Sequence, residues 1–167
     1  HIVLVVKNYR FSMNRILIIG SSGAGKSTIA KKVAAITGLE LFHLDQLYWK
    51  PNWVEPSKSE WREIIEKVAD KDNWIMDGNY SGTFDIRFPR ADIVIWLDFS
   101  MPVCLWRAIK RSVLNYGKTR SDMAPGCPEQ IDLKFYAYVA HFPFAHRPRI
   151  GRAIKLLRED QELIVLR

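Results

Sequence analysis

Apolar residues come in short runs along this chain, separated by stretches with helical spacing. RILII at 15–19 is a strand-length apolar run that stops at Gly20. After the loop SSGAG, the segment KSTIAKKVAAIT places Ile29, Val33 and Ile36 on one helical face, and Gly38 follows as a C-cap. LELFHLD at 39–45 predicts a second strand. SKSE at 57–60 has the form of a capping box ahead of Trp61, Ile64, Ile65 and Val68, so a helix is expected over about 58–70. NWIMD at 73–77 and DIVIWLD at 92–98 predict two more strands, each ending on an acid. Helices are expected at about 102–115, 129–141 and 148–158, with a fifth strand at 162–167. The strand runs are almost wholly apolar, as in parallel strands covered by helices on both faces. The pattern therefore predicts an α/β three-layer fold. The one long irregular stretch is NYGKTRSDMAPGCP at 115–128.

At 167 residues the chain suits one domain, and a composition 48% hydrophobic and 26% charged excludes a disordered or low-complexity chain. Residues 1–12, ahead of Met13, are expected to be an extension outside a single domain at 13–167. No apolar run reaches the roughly 20 residues of a membrane span. The apolar stretch at 2–6 lacks the basic flank and cleavage site of a secretory signal. Two cysteines, Cys104 and Cys127, make no disulfide framework or zinc motif, and the expected setting is the cytoplasm. Net charge is +7, with residues 87–167 holding 14 Lys/Arg against 8 Asp/Glu. Such an excess suits a nucleic-acid surface or an enzyme that grips several phosphates.

GSSGAGKS at 20–27 matches G-x-x-x-x-G-K-[ST] between a strand and a helix. Gly20, Ser21, Ser22, Gly23, Ala24, Gly25, Lys26, Ser27 and Thr28 are the expected ATP contacts. Glycines let successive N–H groups curl toward phosphate oxygens, Lys26 brings a point charge to the β and γ groups, and Ser27 is placed to ligate Mg²⁺. Asp77 is the expected second metal residue, with an Asp-Gly turn as its alternative reading. Asp98 reads equally as a helix N-cap, a loop anchor or a site residue. Asp45, at the expected end of strand two, is a candidate for acceptor binding and for the general base. Tyr48 and Trp49 are candidate acceptor contacts beside Trp53, although packing of a small subdomain explains these aromatics equally. Trp61 and Trp74 are expected in the core, and His43 reads as a strand residue. Arg87, Arg90, Arg107, Arg111 and Arg120 form the basic cluster, with Arg107 and Arg111 on one helix face. Phosphoryl transfer asks a protein for positioning and charge neutralisation. Residues 115–128 are therefore expected to be a lid carrying Arg120, with Arg107 and Arg111 at its base as catalytic arginines and Arg87 on the acceptor.

With these motifs in place, the chain resembles the adenylate-kinase type of P-loop kinases. More closely, HLDQLYWKPNW, WIMDGNYSGTFDIR, ADIVIWLD, CLWRAIKR and GCPE resemble the bacterial DNA topology modulation proteins over most of 13–167. The resemblance implies a parallel sheet in the order 2-3-1-4-5, ATP with Mg²⁺ on the P-loop, and an acceptor pocket between strands two and three. Adenylate kinases carry DGFPR after strand three, with the arginine on the acceptor's phosphate. Here the sequence is DGNYS, and Arg87 and Arg90 lie farther on. The expected activity is transfer of the ATP γ-phosphate to a nucleoside, nucleotide or small hydroxylated metabolite. The alternative is a nucleotide-dependent DNA-binding regulator, as the family name suggests. Against it, the chain has no helix-turn-helix or zinc finger, so DNA binding is expected to be weak.

Overall fold

The computed structural model describes residues 14–167; the expected extension at 1–12 lies outside them. Five strands form one sheet: β1 (Arg15–Gly20), β2 (Leu41–His43), β3 (Trp74–Asp77), β4 (Ile93–Leu97) and β5 (Glu162–Leu166). They run parallel in the order β2-β3-β1-β4-β5, as the resemblance implied. The helices are α1 (Lys26–Thr37), α2 (Leu44–Tyr48), α3 (Lys58–Ala69), α4 (Phe84–Arg87), α5 (Met101–Leu114), α6 (Leu133–Ala145) and α7 (Arg147–Ile154).

The central strand shows why both faces must be covered. Successive side chains of a strand point to opposite sides. Leu17 and Ile19 accordingly join a core with Leu44, Trp61 and Ile65, while Ile16 and Ile18 join a second core with Ala30, Val33, Cys104 and Ala108. One layer therefore contains α3, and the other contains α1 and α5. Trp61 and Trp74 are buried, as expected. No helix among the described residues is long and apolar enough to cross a membrane.

Element boundaries depart from the sequence pattern where side chains compete for the backbone. β2 stops at His43, which stands opposite Asp77, the last residue of β3. Leu44 then opens α2, so Asp45 lies in the first turn of a helix and not at a strand end. α6 begins at Leu133, four residues later than the expected 129. Glu129 is bridged to Tyr116, and the Asp132 side chain accepts from Lys134 N–H at 2.8 Å as the N-cap. α7 ends at Ile154 rather than 158. The capping box at 57–60 forms, with Ser57 Oγ accepting from Glu60 N–H at 3.2 Å.

Ile18 is fully enclosed between β3, β4 and the α1/α5 layer. Ile18→Ala should lower unfolding free energy by about 3 kcal/mol, from lost transfer energy and a cavity that close packing cannot collapse. Urea denaturation, with an unchanged slope, checks this.

Candidate active site

Parallel strands carry their C-terminal ends to one edge of the sheet, and the loop after β1 rises there. Gly23 sits at φ 80°, where a Cβ would meet the Cys104 carbonyl oxygen of α5 at 2.1 Å. Only glycine allows this contact, which seats the loop on α5. Gly25, left-handed at φ 95°, is the N-cap of α1. Its side-chain-free turn leaves the first N–H groups of α1 unsatisfied by any cap, a ready anion site. Lys26 Nζ meanwhile donates to the Ser21 carbonyl at 3.1 Å. Ser21 and Ala24 are buried, and the loop turns through Ala24 N–H to the Ser21 carbonyl at 3.1 Å.

Asp77 is buried at the end of β3, and His43 Nδ1 lies 2.8 Å from its Oδ2. The register that sets these two residues side by side makes the pair. Asp77 Oδ1 is buried with no hydrogen-bond partner. A buried carboxylate oxygen left unmatched is costly, which makes it a candidate ligand atom. His43, read from sequence as a strand residue, therefore also holds the neighbouring acid; only its position opposite Asp77, invisible in the sequence, gives that away.

Asp45 stands across the cleft, with Lys26, Asp77 and Arg120 close enough for their charges to act on it. Burial raises its carboxyl above the ordinary range, while a hydrogen bond from Tyr80 and the charge of Lys26 pull it back. Tyr80 Oη donates to Asp45 Oδ1 at 2.6 Å. Tyr138 is also near: burial first, then the Asp45 charge, push its phenol up to about 12. Tyr48 packs edge-on against Trp49 and Trp61 at 5.0 Å and lies tilted against Tyr80 at 4.7 Å.

The expected lid, 115–128, is irregular but well anchored. Met123, Ala124 and Cys127 are buried against Trp49 and Trp53, and Asn52 N–H donates to the Gly126 carbonyl at 3.0 Å. Trp49 and Trp53 thus pack on the lid, as the subdomain reading of these aromatics anticipated. Beyond this anchor, Ser121 accepts from Lys31 Nζ at 2.8 Å, and Ser27 lies beside Asp122. Arg120 Nε donates to Asp122 Oδ1 at 3.0 Å, and Arg120 Nη1 donates to Glu129 Oε2. Arg111 Nε lies 3.5 Å from Glu129 Oε1, which also accepts from Ser112 Oγ at 2.8 Å. Arg111 and Arg120 therefore converge, each held by an acid. Arg107 does not join them: it is exposed, with its guanidinium 5.2 Å from the Phe99 ring. The acids Asp122 and Glu129 were missed in the sequence; lying beside the lid arginines in SDMAPGCPE was their signal.

Two more arginines of the cluster are engaged elsewhere. Arg87 is fully buried and donates Nε to Thr83 Oγ1 at 3.0 Å, Nη1 to the Gly78 carbonyl at 3.0 Å, and Nη2 to the carbonyls of Asn79 and Tyr80 at 2.6 and 2.8 Å. The acceptor contact expected of Arg87 is corrected by this burial: its guanidinium braces the loop after β3 from inside. Arg90 pairs with Asp70 at 2.9 Å. Asp98 resolves as a loop anchor, accepting both Arg147 bonds at 2.8 Å, while Ser100 takes the N-cap position of α5.

With the geometry set out, the fold is that of a P-loop kinase-like α/β protein. A family model, the ATPase family associated with various cellular activities (AAA), matches residues 16–98. Shikimate kinase from Acinetobacter baumannii in complex with shikimate superposes with a TM-score of 0.60 at 13% identity, covering 93% of this chain and 85% of that one. Shikimate kinase from Aquifex aeolicus gives 0.51 at 13% identity, covering 90% and 86%. Deoxyadenosine kinase from M. mycoides with bound dCTP gives 0.50 at 18% identity, covering 91% and 89%. No curated protein matches the sequence.

The lid anchor has a pH signature. Burial opposes ionisation of Asp122, but Arg120 and the Ser27 hydroxyl outweigh it and hold the carboxyl down at about 2. A folded value below the ordinary 3.8 stabilises the protein above pH 3.8 and is lost as pH falls toward 2. Asp122→Asn should therefore be less stable than wild type by about 1–2 kcal/mol at pH 6, with the gap closing near pH 2. Urea unfolding at both pH values measures it.

Proposed function

We propose that the chain is an ATP-dependent kinase that transfers the γ-phosphoryl group to a hydroxyl of a small acceptor: a nucleoside, a nucleotide or another hydroxylated metabolite. The observation that carries this reading is the glycine loop after β1, seated on α5 and leading to the uncapped N-terminus of α1, at the same sheet edge as the buried Asp77. Residues 20–28 hold the triphosphate through N–H groups at the start of α1. Lys26, freed from the Ser21 carbonyl, moves to the β and γ oxygens. Arg111 and Arg120 leave Glu129 and Asp122 for the γ-phosphate as charge spreads over its oxygens. Arg107 sits outside this group, exposed over Phe99.

Ser27 and the unpaired Asp77 Oδ1 fit Mg²⁺, which binds through one or two protein oxygens together with substrate phosphates. When bound, the ion neutralises β and γ oxygens and fixes the in-line geometry. Asp45 takes the proton of the acceptor hydroxyl as its oxygen bonds the γ-phosphorus and the bond to the β–γ bridging oxygen breaks. Tyr48 and Trp49 flank this end of the cleft. Arg87 is withdrawn from it, which argues against an adenylate-kinase type of grip on an acceptor phosphate. The segments resembling DNA topology modulation proteins supply both ends of the site, and the buried free thiols of Cys104 and Cys127 suit a cytoplasmic setting.

Acceptor-dependent ADP release, screened across nucleosides, nucleoside monophosphates and small sugar acids, tests the reading. Lys26→Ala should weaken ATP binding about tenfold or more by calorimetry. An unchanged affinity overturns the P-loop assignment. Asp77→Asn should reduce turnover far more than it reduces metal-free ADP binding; equal losses make Asp77 structural. DNA binding that persists at physiological salt under saturating ATP analogue, with no acceptor stimulating ADP release, replaces the kinase by the DNA-binding reading.

A further inference from the structure

We infer that Tyr80 is a positioning residue that aims Asp45 at the acceptor hydroxyl, and that Arg87 holds Tyr80 in place from inside the fold. The inference rests on the acceptor role proposed for Asp45 and adds two residues to it. The contact itself is short and directional: Tyr80 Oη donates to Asp45 Oδ1 at 2.6 Å, leaving Oδ2 for the acceptor. A carboxylate in the first turn of a five-residue helix has several rotamers, and a fixed donor on one oxygen selects among them.

Tyr80 is itself held unusually. Its backbone is left-handed, at φ 30° and ψ 62°, which a non-glycine residue keeps only when its surroundings impose it. Arg87 supplies that imposition. Its guanidinium takes the carbonyls of three consecutive residues, Gly78, Asn79 and Tyr80, and its Nε takes Thr83 Oγ1. Thr83 closes the turn by donating its hydroxyl to the Tyr80 carbonyl at 3.0 Å and its N–H to the same oxygen at 3.1 Å. A fully buried guanidinium held only by carbonyls and a hydroxyl is costly. Burial pulls it down to about 9 from its ordinary value. A residue kept at that cost, with its donors spent on one loop, is there to fix the loop.

Aromatic packing completes the direction of the phenol. Tyr48 at 4.7 Å and Trp61 at 5.0 Å pack on the Tyr80 ring while its hydroxyl bonds Asp45. Burial, then the Asp45 charge, hold the phenol well above its ordinary range, so it remains a donor across the working pH. The groups facing Asp45 from the packed elements are Lys26 of α1, Asp77 of β3, Arg111 of α5, Arg120 of residues 115–128 and Tyr138 of α6. Among the described residues, Tyr80 alone hydrogen-bonds its carboxylate.

The test needs neither ATP nor acceptor. Carbon-13 NMR of aspartate-labelled protein follows the Asp45 carboxyl, assigned by its loss in Asp45→Asn, through a pH titration of wild type, Tyr80→Phe, Arg87→Lys and the exposed control Arg158→Lys. Removing a donor to the charged form favours the protonated acid, so Tyr80→Phe should move the Asp45 midpoint upward by about half a pH unit or more. Arg87→Lys should move it the same way with the phenol still present, and Arg158→Lys should leave it unmoved. An unmoved midpoint in folded Tyr80→Phe overturns the inference. A shift there without one in folded Arg87→Lys overturns the part played by Arg87; if Arg87→Lys does not fold, Tyr80→Phe decides alone. Because the titration is read on the free protein, a failed acceptor screen overturns the kinase reading without touching this result.

Discussion

Everything at this site follows from the register of the parallel sheet. Ile18 stands opposite Asp77, and His43 stands opposite Asp77 from the other side. Gly78 N–H donates to the Ile18 carbonyl at 3.1 Å, so the ladder is continued one residue past the end of β3. A shift of one residue would turn Asp77 and His43 to the opposite face and separate them from the loop after β1. The same ladder on the other side ends with Gly20 opposite Leu97, which brings Asp98 level with the P-loop. Backbone pairing alone thus collects a glycine loop, a buried acid and an acceptor-side helix at one edge. This is the crevice beyond the strand C-termini where open α/β sheets take ligands.

Charge is then distributed so that few of these groups stay alone. Asp122 and Glu129 hold Arg120, Glu129 also holds Arg111, and Tyr80 and Lys26 act on Asp45. Removing one partner of a buried pair costs far more than the pair contributes, so these residues constrain one another. The consequence for function is specific. A phosphate that recruits Arg111 and Arg120 competes with two carboxylates already seated, and the lid arginines must be exchanged rather than simply collected. Arg107, exposed over Phe99, takes no part in that exchange.

The periodicity of the chain carried the architecture because each strand is short, apolar and bounded by a loop or cap. The glycine motif was legible for the same reason: its spacing is dictated by backbone geometry, which sequence expresses directly. What it concealed were partners fixed by tertiary contact. His43 looks like any strand residue until β2 is set against β3. Asp45 looks like a strand end, because nothing local says that β3 runs out at Asp77 and leaves residue 44 with no partner. Glu129 looks like a helix start, while its backbone and carboxylate are committed to the lid. Arg87 was misplaced because a basic residue after strand three is normally solvent-facing, and only three-dimensional closure of the 78–83 turn shows where its donors go.

That last difference bears on the kind of acceptor. An arginine placed at this loop to grip an anion would present its guanidinium to the cleft. Here the chain buries it and returns a neutral phenol, Tyr80, to the surface that faces Asp45. Asn79 is buried in the same loop, its Oδ1 without a hydrogen-bond partner among the described residues, and its side chain lies near Tyr138. Arg149 reaches the same loop only at its rim, donating to Ser81 Oγ at 3.3 Å. The surroundings of Asp45 therefore offer a carboxylate, two phenols and an amide. Those groups match hydroxyls, each of which can donate to Asp45 while accepting from a phenol or an amide. An acceptor's anionic group would meet Asp45 and Asp77 as like charges, and the cations near them, Lys26, Arg111 and Arg120, are the ones the phosphate donor would engage on the proposed reading. On the proposed kinase reading, the arrangement therefore favours an acceptor that presents a hydroxyl to Asp45.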